Sequence, residues 1–466
     1  MHIEFKGLIR ASAVAFAALS FGSLALACAD PLPTTVNAQL VAPPNVPDPL
    51  PRTASHVVVN LTAKETTREI APGVKYALWT FNDSVPGPLI RVHEGDTVEI
   101  ALTNDGSSTV THNIDLHAVN GPGGGAGATT VAPGETRSFS FEAKATGLFT
   151  YHCAAGVVSD HIANGMYGGI LVEPANGLAK VDRQYYIGES DMYTDLKTGD
   201  PGSAKLDLDK LMAEQPTYVV FNGNTKSLVG DNALQAKTGE TVRIYFVQGG
   251  PNLTSSFHII GEIFDKAWAW GALESPPSKG VQTISVPPGG AAIVEFKVDV
   301  PGTYTIVDHA LGRVLKGGAG QLKVTGDNND RVFKVTSGIP TTAVDSHTMT
   351  NMTPTAASAP GGVAVADGAT TKLPMTDNAF ATKAFSVKAG NTVTFDLANS
   401  GKAPHNMRIA PLNGDFAAVT SVVSNPEVIL NGKSGTLQWK APAEPGTYKF
   451  RCDIHPAEMT GTISVN

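Results

Sequence analysis

The same order of turns and strands recurs three times along the chain, and this repeat limits the possible folds more than any other feature. Each copy begins with a glycine turn that opens an alternating strand, continues to a Pro-Gly turn, and then enters a strand rich in aromatic residues. The opening strands lie at 95–100, 239–244 and 389–395, and the aromatic strands lie at 147–151, 301–305 and 445–450. A repeat of this length predicts three copies of one domain. Short alternating strands between turns are typical of Greek-key β-sandwiches, so we expect an all-β protein.

The composition agrees with this expectation. The 466 residues include 48 glycines and 31 prolines, which disfavour long helices. A chain of this length holds about two to four domains at roughly 100–200 residues each. The formal net charge of −8 excludes a broad basic surface, and we therefore expect no nucleic-acid partner.

The repeat divides the chain into segments of different character. We expect an export signal at 1–29, an extended proline-rich arm at 30–54, a first unit at 55–178, a second unit at 179–326, a flexible linker at 327–370 and a third unit at 371–466.

The start of the chain has the pattern of a secretory signal. Lys6 and Arg10 precede an apolar run at 11–27 that ends in an Ala-x-Ala motif. Cys28 follows directly, and it is either the lipid-bearing first residue of a bacterial lipoprotein or a cysteine that is removed with the signal or retained unmodified. In both cases we expect an exported protein, periplasmic or associated with the outer membrane of a bacterium. No later segment reaches the roughly 18 apolar residues of a membrane-spanning helix.

The three cysteines are too few and too scattered for a disulfide framework, and the second of them lies among metal-binding residues. Cys153 is followed by His161 and Met166 in the spacing Cys-x7-His-x4-Met, and His112 lies upstream. One thiolate, two imidazoles and a thioether at the end of a β-sandwich are the ligands of a blue copper centre. We therefore predict that these four residues bind copper.

The alternation of side chains along a strand predicts a second metal site beside the first. Adjacent residues point to opposite faces, so His152 faces away from the Cys153 centre. Asp115 and His117 are two residues apart and share a face, whereas His112 lies five residues before His117 and can face the other way. His117 and His152 would thus hold a second metal, with Asp115 beside it. The peptide bond between His152 and Cys153 would connect the two metals.

The second unit contributes histidines but no cysteine, and so it cannot hold a thiolate copper. Its residues His258 and His309 are available to complete the second metal site. Three histidines with one open coordination position are typical of a catalytic metal.

Residues from about 55 to 325 resemble the copper-containing nitrite reductases, a family with two cupredoxin domains, and match its members with a short Cys-to-His loop. The resemblance rests on the motifs Thr-His112-Asn-Ile-Asp115-Leu-His117, His152-Cys153, His161-Ile-Ala-Asn-Gly-Met166, Phe-His258-Ile-Ile260-Gly and Val-Asp-His309. It implies that the first two units are a cupredoxin core for the dissimilatory reduction of nitrite to nitric oxide.

The resemblance also implies a role for each motif residue. The type 1 copper, which receives electrons, is held in the family by the residues matching His112, Cys153, His161 and Met166. The catalytic type 2 copper lies between the subunits of a homotrimer and is held by the residues matching His117 and His152 and, from the neighbouring subunit, His309. In the family, the residues matching Asp115 and His258 deliver protons. The residue matching Ile260 restricts the position of nitrite.

The third unit carries a copper-ligand set of its own. Cys452, His455 and Met459 follow the spacing Cys-x2-His-x3-Met, and His405 lies upstream. These four residues predict another type 1 centre, which brings the expected content to about three coppers per chain. Arg451 precedes Cys452 where a histidine would be needed, so we expect no second metal beside it. The unit resembles a small blue copper protein.

We interpret the third unit as a tethered electron donor to the Cys153 copper. The linker would hold it at a roughly millimolar effective concentration. An external donor, such as a small copper protein or a c-type cytochrome, would supply the enzyme. Two alternatives stay open for this unit: docking without electron transfer, and a β-sandwich that has lost its metal.

Two other functions compete with nitrite reduction. A multicopper oxidase needs paired His-x-His motifs, but no two of the 12 histidines are separated by one residue. A copper carrier or copper store would account for the first and third units, but it would leave Asp115, His258 and His309 without a role.

Overall fold

The computed structural model describes residues 34–51, 54–334, 336 and 362–466, apart from residues 378, 413, 417, 419 and 457. The expected export signal, Cys28 and part of the expected linker lie outside these residues. The described chain consists mainly of strands, which form six sheets. The sheets are arranged in three pairs, and each pair encloses a hydrophobic core.

The first unit pairs a larger and a smaller sheet. Its elements are β1 (Thr34–Asn37), β2 (Ala54–Ala71), β3 (Val74–Phe81), β4 (Ile90–His93), β5 (Thr97–Asn104), β6 (Asp115–Leu116), a 3₁₀ helix (Pro122–Gly125), β7 (Thr136–Glu142), β8 (Gly147–His152), α1 (Val158–Ala163) and β9 (Tyr167–Glu173). The larger sheet has the order β3-β2-β5-β7 with β1 beside β2, and the smaller has the order β4-β9-β8-β6.

The second unit pairs two five-stranded sheets. Its elements are β10 (Arg183–Met192), β11 (Gly202–Ala204), α2 (Leu208–Met212), β12 (Tyr218–Phe221), β13 (Leu234–Lys237), β14 (Thr241–Gly250), β15 (Ser255–Ile260), β16 (Lys266–Trp268), β17 (Thr283–Val286), β18 (Gly290–Lys297), β19 (Gly302–Asp308) and β20 (Ala319–Thr325), with 3₁₀ helices at Gly230–Asn232, Ala269–Gly271 and Leu311–Lys316. The sheet orders are β12-β10-β14-β18-β16 and β13-β20-β19-β15-β17. Strand β11 instead extends the larger sheet of the first unit, where it pairs in parallel with β3.

The third unit is again a two-sheet sandwich. Its strands are β21 (Val363–Val365), β22 (Thr370–Thr376), β23 (Ala379–Phe380), β24 (Ala384–Val387), β25 (Thr392–Asn399), β26 (Arg408–Ile409), β27 (Val422–Val423), β28 (Ser434–Lys440), β29 (Gly446–Arg451) and β30 (Thr460–Val465). The sheet orders are β21-β24-β30-β29-β26-β27 and β23-β22-β25-β28.

The alternating sequences place one face of each strand in a core. In β25, Val393, Phe395 and Leu397 are buried, while the residues between them are half-buried. In β28, Leu437 and Trp439 are buried and their neighbours are exposed. Burial alternates with a period of two because successive side chains of a strand point to opposite faces.

A fourth hydrophobic cluster joins the first two units. It contains Tyr76 and Tyr167 from the first unit and Tyr186, Tyr245 and Ile293 from the second. Burial of large apolar side chains across this boundary holds the two units together as one body. No helix within the described ranges is long and apolar enough to cross a membrane.

Candidate metal centres

Three side chains from separate segments of the first unit meet at one end of its sandwich. Cys153 directly follows β8, His161 lies in α1, and His112 forms a β-bridge with Val131. The Cys153 Sγ lies 3.1 Å from His161 Nδ1 and 3.9 Å from His112 Nδ1, and the two Nδ1 atoms are 3.3 Å apart. All three side chains are buried, so the donor atoms converge on one point away from solvent.

Backbone hydrogen bonds hold Met166, the fourth predicted ligand, against the same loop. The Cys153 N–H donates to the Met166 carbonyl oxygen (3.1 Å), and the Met166 N–H donates to the His161 carbonyl oxygen (3.0 Å). The Met166 side chain is fully buried. The structure therefore places the thioether residue beside the thiol and imidazole residues.

Burial determines the protonation of this centre. It raises the pKa of the Cys153 thiol to about 11 and lowers the pKa of His161 to about 4. The imidazole therefore stays neutral and offers a lone pair, while the thiol keeps its proton until a metal ion displaces it. One sulfur and two imidazole nitrogens are a soft donor set, which fits copper.

A second cluster lies on the opposite face of the same strands. In the antiparallel register of β6 and β8, Asp115 pairs with His152 and Leu116 pairs with Tyr151. Leu116 and Tyr151 are buried in the core, so Asp115 and His152 point outwards. The His117 Nε2 lies 3.1 Å from the His152 Nε2, and an Asp115 oxygen lies within 4.8 Å of these atoms.

The hydrogen bonds behind these two imidazoles determine which nitrogen carries the proton. The His152 Nδ1 lies 3.1 Å from the Cys153 carbonyl oxygen, which can only accept, so we assign the proton to Nδ1. The Thr150 hydroxyl donates to the Gly289 carbonyl oxygen (2.8 Å) and therefore accepts from His117 Nδ1 (2.9 Å). Both Nε2 atoms then present lone pairs to each other, and a metal ion between them would relieve this repulsion.

The two histidines of the second unit form a pair of their own. His258 lies on β15 and His309 directly follows β19, and their ring centroids are 5.2 Å apart. The residues of β15 alternate between buried and half-buried, which places His258 and Ile260 on the same outer face. Within one chain, the ligand atoms that cluster with those of His117 and His152 include Asp115 but not His309.

The third unit repeats the first cluster. The Cys452 Sγ lies 3.9 Å from His405 Nδ1 and 3.8 Å from His455 Nδ1, and the two nitrogens are 3.2 Å apart. The Cys452 N–H donates to the carbonyl oxygen of Met459 (2.9 Å), which is buried. Burial raises the pKa of the Cys452 thiol. The same soft donor set is therefore present a second time.

The outer face of this third-unit strand differs from its counterpart in the first unit. Arg408 pairs with Arg451 across β26 and β29, the register at which the first unit pairs a carboxylate with a histidine. The Asp453 carboxylate accepts from Arg408 Nε (2.6 Å) and Arg451 Nε (3.1 Å). A guanidinium stays protonated and cannot ligate a metal, and the described residues of this face include no second ligand set.

The sequence reasoning missed the acidic residues that support the first histidine of each thiol cluster. Glu65 accepts hydrogen bonds from the backbone N–H groups two and three residues before His112, at 3.0 and 2.7 Å. Asp377 accepts from the N–H groups two and three residues before His405, at 3.1 and 2.6 Å. Glu65 lies 47 residues before His112 and Asp377 lies 28 residues before His405, so no common spacing in the sequence could have identified them. Trp79, whose ring contacts the rings of His112 and His161 edge-on, carried no signal in the sequence either.

Matches to family models define the class of the protein. Models described as multicopper oxidase match residues 62–177 and 200–327, and a model described as a cupredoxin-like domain matches residues 348–465. With three two-sheet sandwiches, these matches identify tandem cupredoxin domains, and the predicted fold class is confirmed. A crystal structure titled multicopper oxidase is 28% identical, with a TM-score of 0.50, and covers 60% of this chain and 92% of its own.

The more similar relatives are named copper-containing nitrite reductase. The protein from Neisseria gonorrhoeae is 54% identical over 62% of this chain and 74% of its own length, and that from Alcaligenes faecalis is 39% identical over 55% and 73%. A copper nitrite reductase structure from Nitrosomonas europaea is 37% identical, with a TM-score of 0.52, and covers 59% of this chain and 95% of its own. One from Thermus scotoductus is 29% identical, with a TM-score of 0.51, and covers 88% and 99%.

The chain therefore belongs to the family of copper-containing nitrite reductases, as its motifs predicted. It carries a further C-terminal cupredoxin domain in addition to the two domains of the core.

Proposed function

We propose that this protein reduces nitrite to nitric oxide and water, and that each nitrite consumes one electron and two protons. The observation that carries the proposal is the position of two donor clusters on opposite faces of β8, joined by the peptide bond between His152 and Cys153. This bond offers an electron a short covalent path between the clusters. The similarity to copper-containing nitrite reductases supports the same activity.

Copper bound at these clusters supplies one-electron redox chemistry and, at the outer cluster, a position for nitrite. We assign the type 1 centre to His112, Cys153, His161 and Met166. We assign the type 2 centre to His117 and His152 of one subunit and His309 of its neighbour. The protein is then a homotrimer, and each catalytic site lies between two subunits.

We propose that two residues, Asp115 and His258, handle the protons. Asp115 belongs to the outer cluster, and its carboxyl can reach a nitrite oxygen bound there. His258 lies beside His309 and its Nδ1 contacts the Gln282 carbonyl oxygen at 2.5 Å, so its Nε2 faces away from Gln282. Ile260, on the same face as His258, restricts the orientation of nitrite by its bulk.

We propose that the third unit, residues 371–466, is a tethered type 1 copper domain formed around His405, Cys452, His455 and Met459. Among its described residues, Arg408 and Arg451 lie where a second ligand set would be needed, and guanidinium groups cannot bind a metal for substrate, which supports electron transfer as the role of this unit. We assign the core domains to 55–178 and 179–326. The predicted linker at 327–370 includes β21 (Val363–Val365), which pairs with β24 of the third unit, so we place the end of the linker before β21. An external copper protein or c-type cytochrome supplies electrons.

We also propose that the protein is exported and takes part in denitrification. The signal pattern at 1–29 supports a periplasmic location, and a lipid on Cys28 would place it at the outer membrane instead.

The activity is tested by a copper count combined with a nitrite assay on the purified protein. We expect about three coppers per chain and nitric oxide production when a reductant is supplied. Two coppers per chain without turnover would favour a copper carrier. Oxygen reduction without nitrite turnover would favour a multicopper oxidase.

Replacing Cys452 with Ala is expected to remove the third-unit copper and to slow nitrite reduction by protein donors about tenfold or more, because the tethered donor is lost. Turnover with a small reductant that reaches the core directly is expected to stay unchanged. Steady-state rates with both donor types measure the effect. Met375→Leu is the matched control, since Met375 is buried in the same core and is not one of the four proposed ligands. Unchanged rates with every donor would favour docking without electron transfer.

A further inference from the structure

Asp308 is a buried carboxylate directly before His309, and neither the motifs nor the proposed reaction gives it a role. Its side chain is 0% exposed. A carboxylate is rarely buried this completely without several hydrogen bonds, because its desolvation is costly. The partners of Asp308 therefore indicate what it does.

The carboxylate ties the loop that carries His309 to strand β15. Asp308 Oδ1 accepts from the Ser256 N–H on β15 and from the Ala310 N–H in the loop, both at 3.0 Å. The His309 N–H in turn donates to the Ser256 carbonyl oxygen at 2.8 Å. Asp308 and His309 are thus bonded directly to Ser256 of β15, and Ala310 is linked to the same residue through the Asp308 carboxylate. Strand β15 also carries His258.

A cation and a second acid complete the surroundings of Asp308. Arg313 Nη1 donates to Asp308 Oδ2 (2.5 Å) and to the Thr254 carbonyl oxygen (2.7 Å), so it bridges the loop and the start of β15. Glu189 is fully buried nearby, where it accepts from the Ser255 hydroxyl at 2.6 Å. Burial, and then the charge of Asp308, hold the pKa of Glu189 well above its usual range, so Glu189 stays neutral and the two acids do not repel.

We propose that Asp308 is a positioning residue that fixes His309 for metal binding across the subunit boundary, at a constant spacing from His258. The inference rests on the proposed function, in which His309 completes the type 2 centre of a neighbouring subunit. Metal affinity is sensitive to such support, because residues behind the ligands typically contribute about 10- to 100-fold. Without the carboxylate, two partly buried N–H groups would lose their acceptor and the Arg313 guanidinium would lose its anionic partner, and the loop would shift to find water or new acceptors.

The test is a copper titration of metal-depleted protein, with the type 2 signal followed by electron paramagnetic resonance. Asp308→Ala is expected to weaken type 2 copper binding at least about tenfold. The absorption of the type 1 copper at Cys153 is expected to stay unchanged. Asp308→Asn keeps an acceptor oxygen for the two N–H groups and is expected to recover most of the affinity. The absorption of the copper bound at Cys153 measures the concentration of folded chains in every sample.

Asp96→Ala is the matched control. Asp96 is also a buried aspartate, and it accepts from the backbone N–H of a histidine, His93, at 2.8 Å, but it lies away from the described metal clusters. We expect this variant to bind type 2 copper like the wild type. An equal loss of affinity in Asp96→Ala and Asp308→Ala would indicate general destabilisation and would overturn the positioning role.

If Asp308→Ala does not fold, the double variant Asp308→Leu/Arg313→Met serves instead, because apolar replacement of a buried ion pair commonly preserves folding. It is expected to show the same weakening of the type 2 centre. Wild-type affinity in either variant would contradict the inference. The variant His309→Ala distinguishes a failure of the ligand assignment from a failure of the positioning role. If this variant keeps the type 2 copper, the assignment of His309 as a ligand is wrong. If it loses that copper while Asp308→Ala does not, only the positioning role fails.

Discussion

Replacing His258 with Ala or Asp115 with Asn is expected to lower nitrite turnover by about 10²- to 10⁴-fold while both core coppers stay bound. Each variant removes a group that can pass a proton to a nitrite oxygen, and loss of the N–O bond needs both protons. Neither side chain is assigned as a metal ligand. Nitric oxide production and copper content, measured on the same sample, test this result.

Two substitutions serve as controls for these variants. His56→Ala removes a half-buried histidine that pairs with Glu99 at 3.2 Å, and Asp83→Asn removes an exposed carboxylate beside Arg68 at 3.6 Å. Neither residue belongs to a described donor cluster, so both variants should turn over nitrite at the wild-type rate. Normal turnover in the His258 or Asp115 variant, with copper fully bound, would show that the replaced residue does not deliver a proton to nitrite.

Mixing two inactive variants is expected to restore nitrite reduction. His117→Ala and His309→Ala should each empty the type 2 centre and lower turnover more than about 100-fold, since a metal contributes several kcal/mol to such a reaction. In trimers assembled from equal amounts of both variants, about a quarter of the sites combine an intact His117 from one subunit with an intact His309 from its neighbour. Turnover should recover to about this fraction.

The recovery is measured after the two variants are unfolded and refolded together, or expressed together. Each variant refolded alone is the control and should stay inactive. Mixed trimers that contain both variants but recover no activity would show that His309 does not act across the subunit boundary.

Much of the fold could be predicted because its signals are local. The glycine turns, the alternating strands and the aromatic strands recur in each unit, and each unit forms a separate two-sheet core. The exchange of β11 into the first unit could not be predicted. Its three residues pair with β3 through backbone groups, and such pairing leaves no side-chain pattern in the sequence.

The residues that position the metal-binding side chains could not be predicted from the sequence either. Thr150 and Gly289 determine which nitrogen of His117 is free, yet Gly289 is 139 residues from Thr150. Asp308 reaches across 52 residues to the N–H of Ser256. Contacts of this kind depend on how distant segments pack, and no local spacing encodes them.

The sequence by itself determined which donor atoms the chain offers and how they divide between two faces. Adjacent residues of a strand must point apart, so His152 and Cys153 could only serve different clusters. Tertiary structure alone decided the rest: the 3.1 Å approach of the two Nε2 atoms, the burial that keeps the thiol of Cys153 protonated without a metal, and the arginine pair that closes the outer face of the third unit. The physical reason is that side-chain direction follows from the local backbone, whereas distance, burial and charge depend on groups brought together by folding.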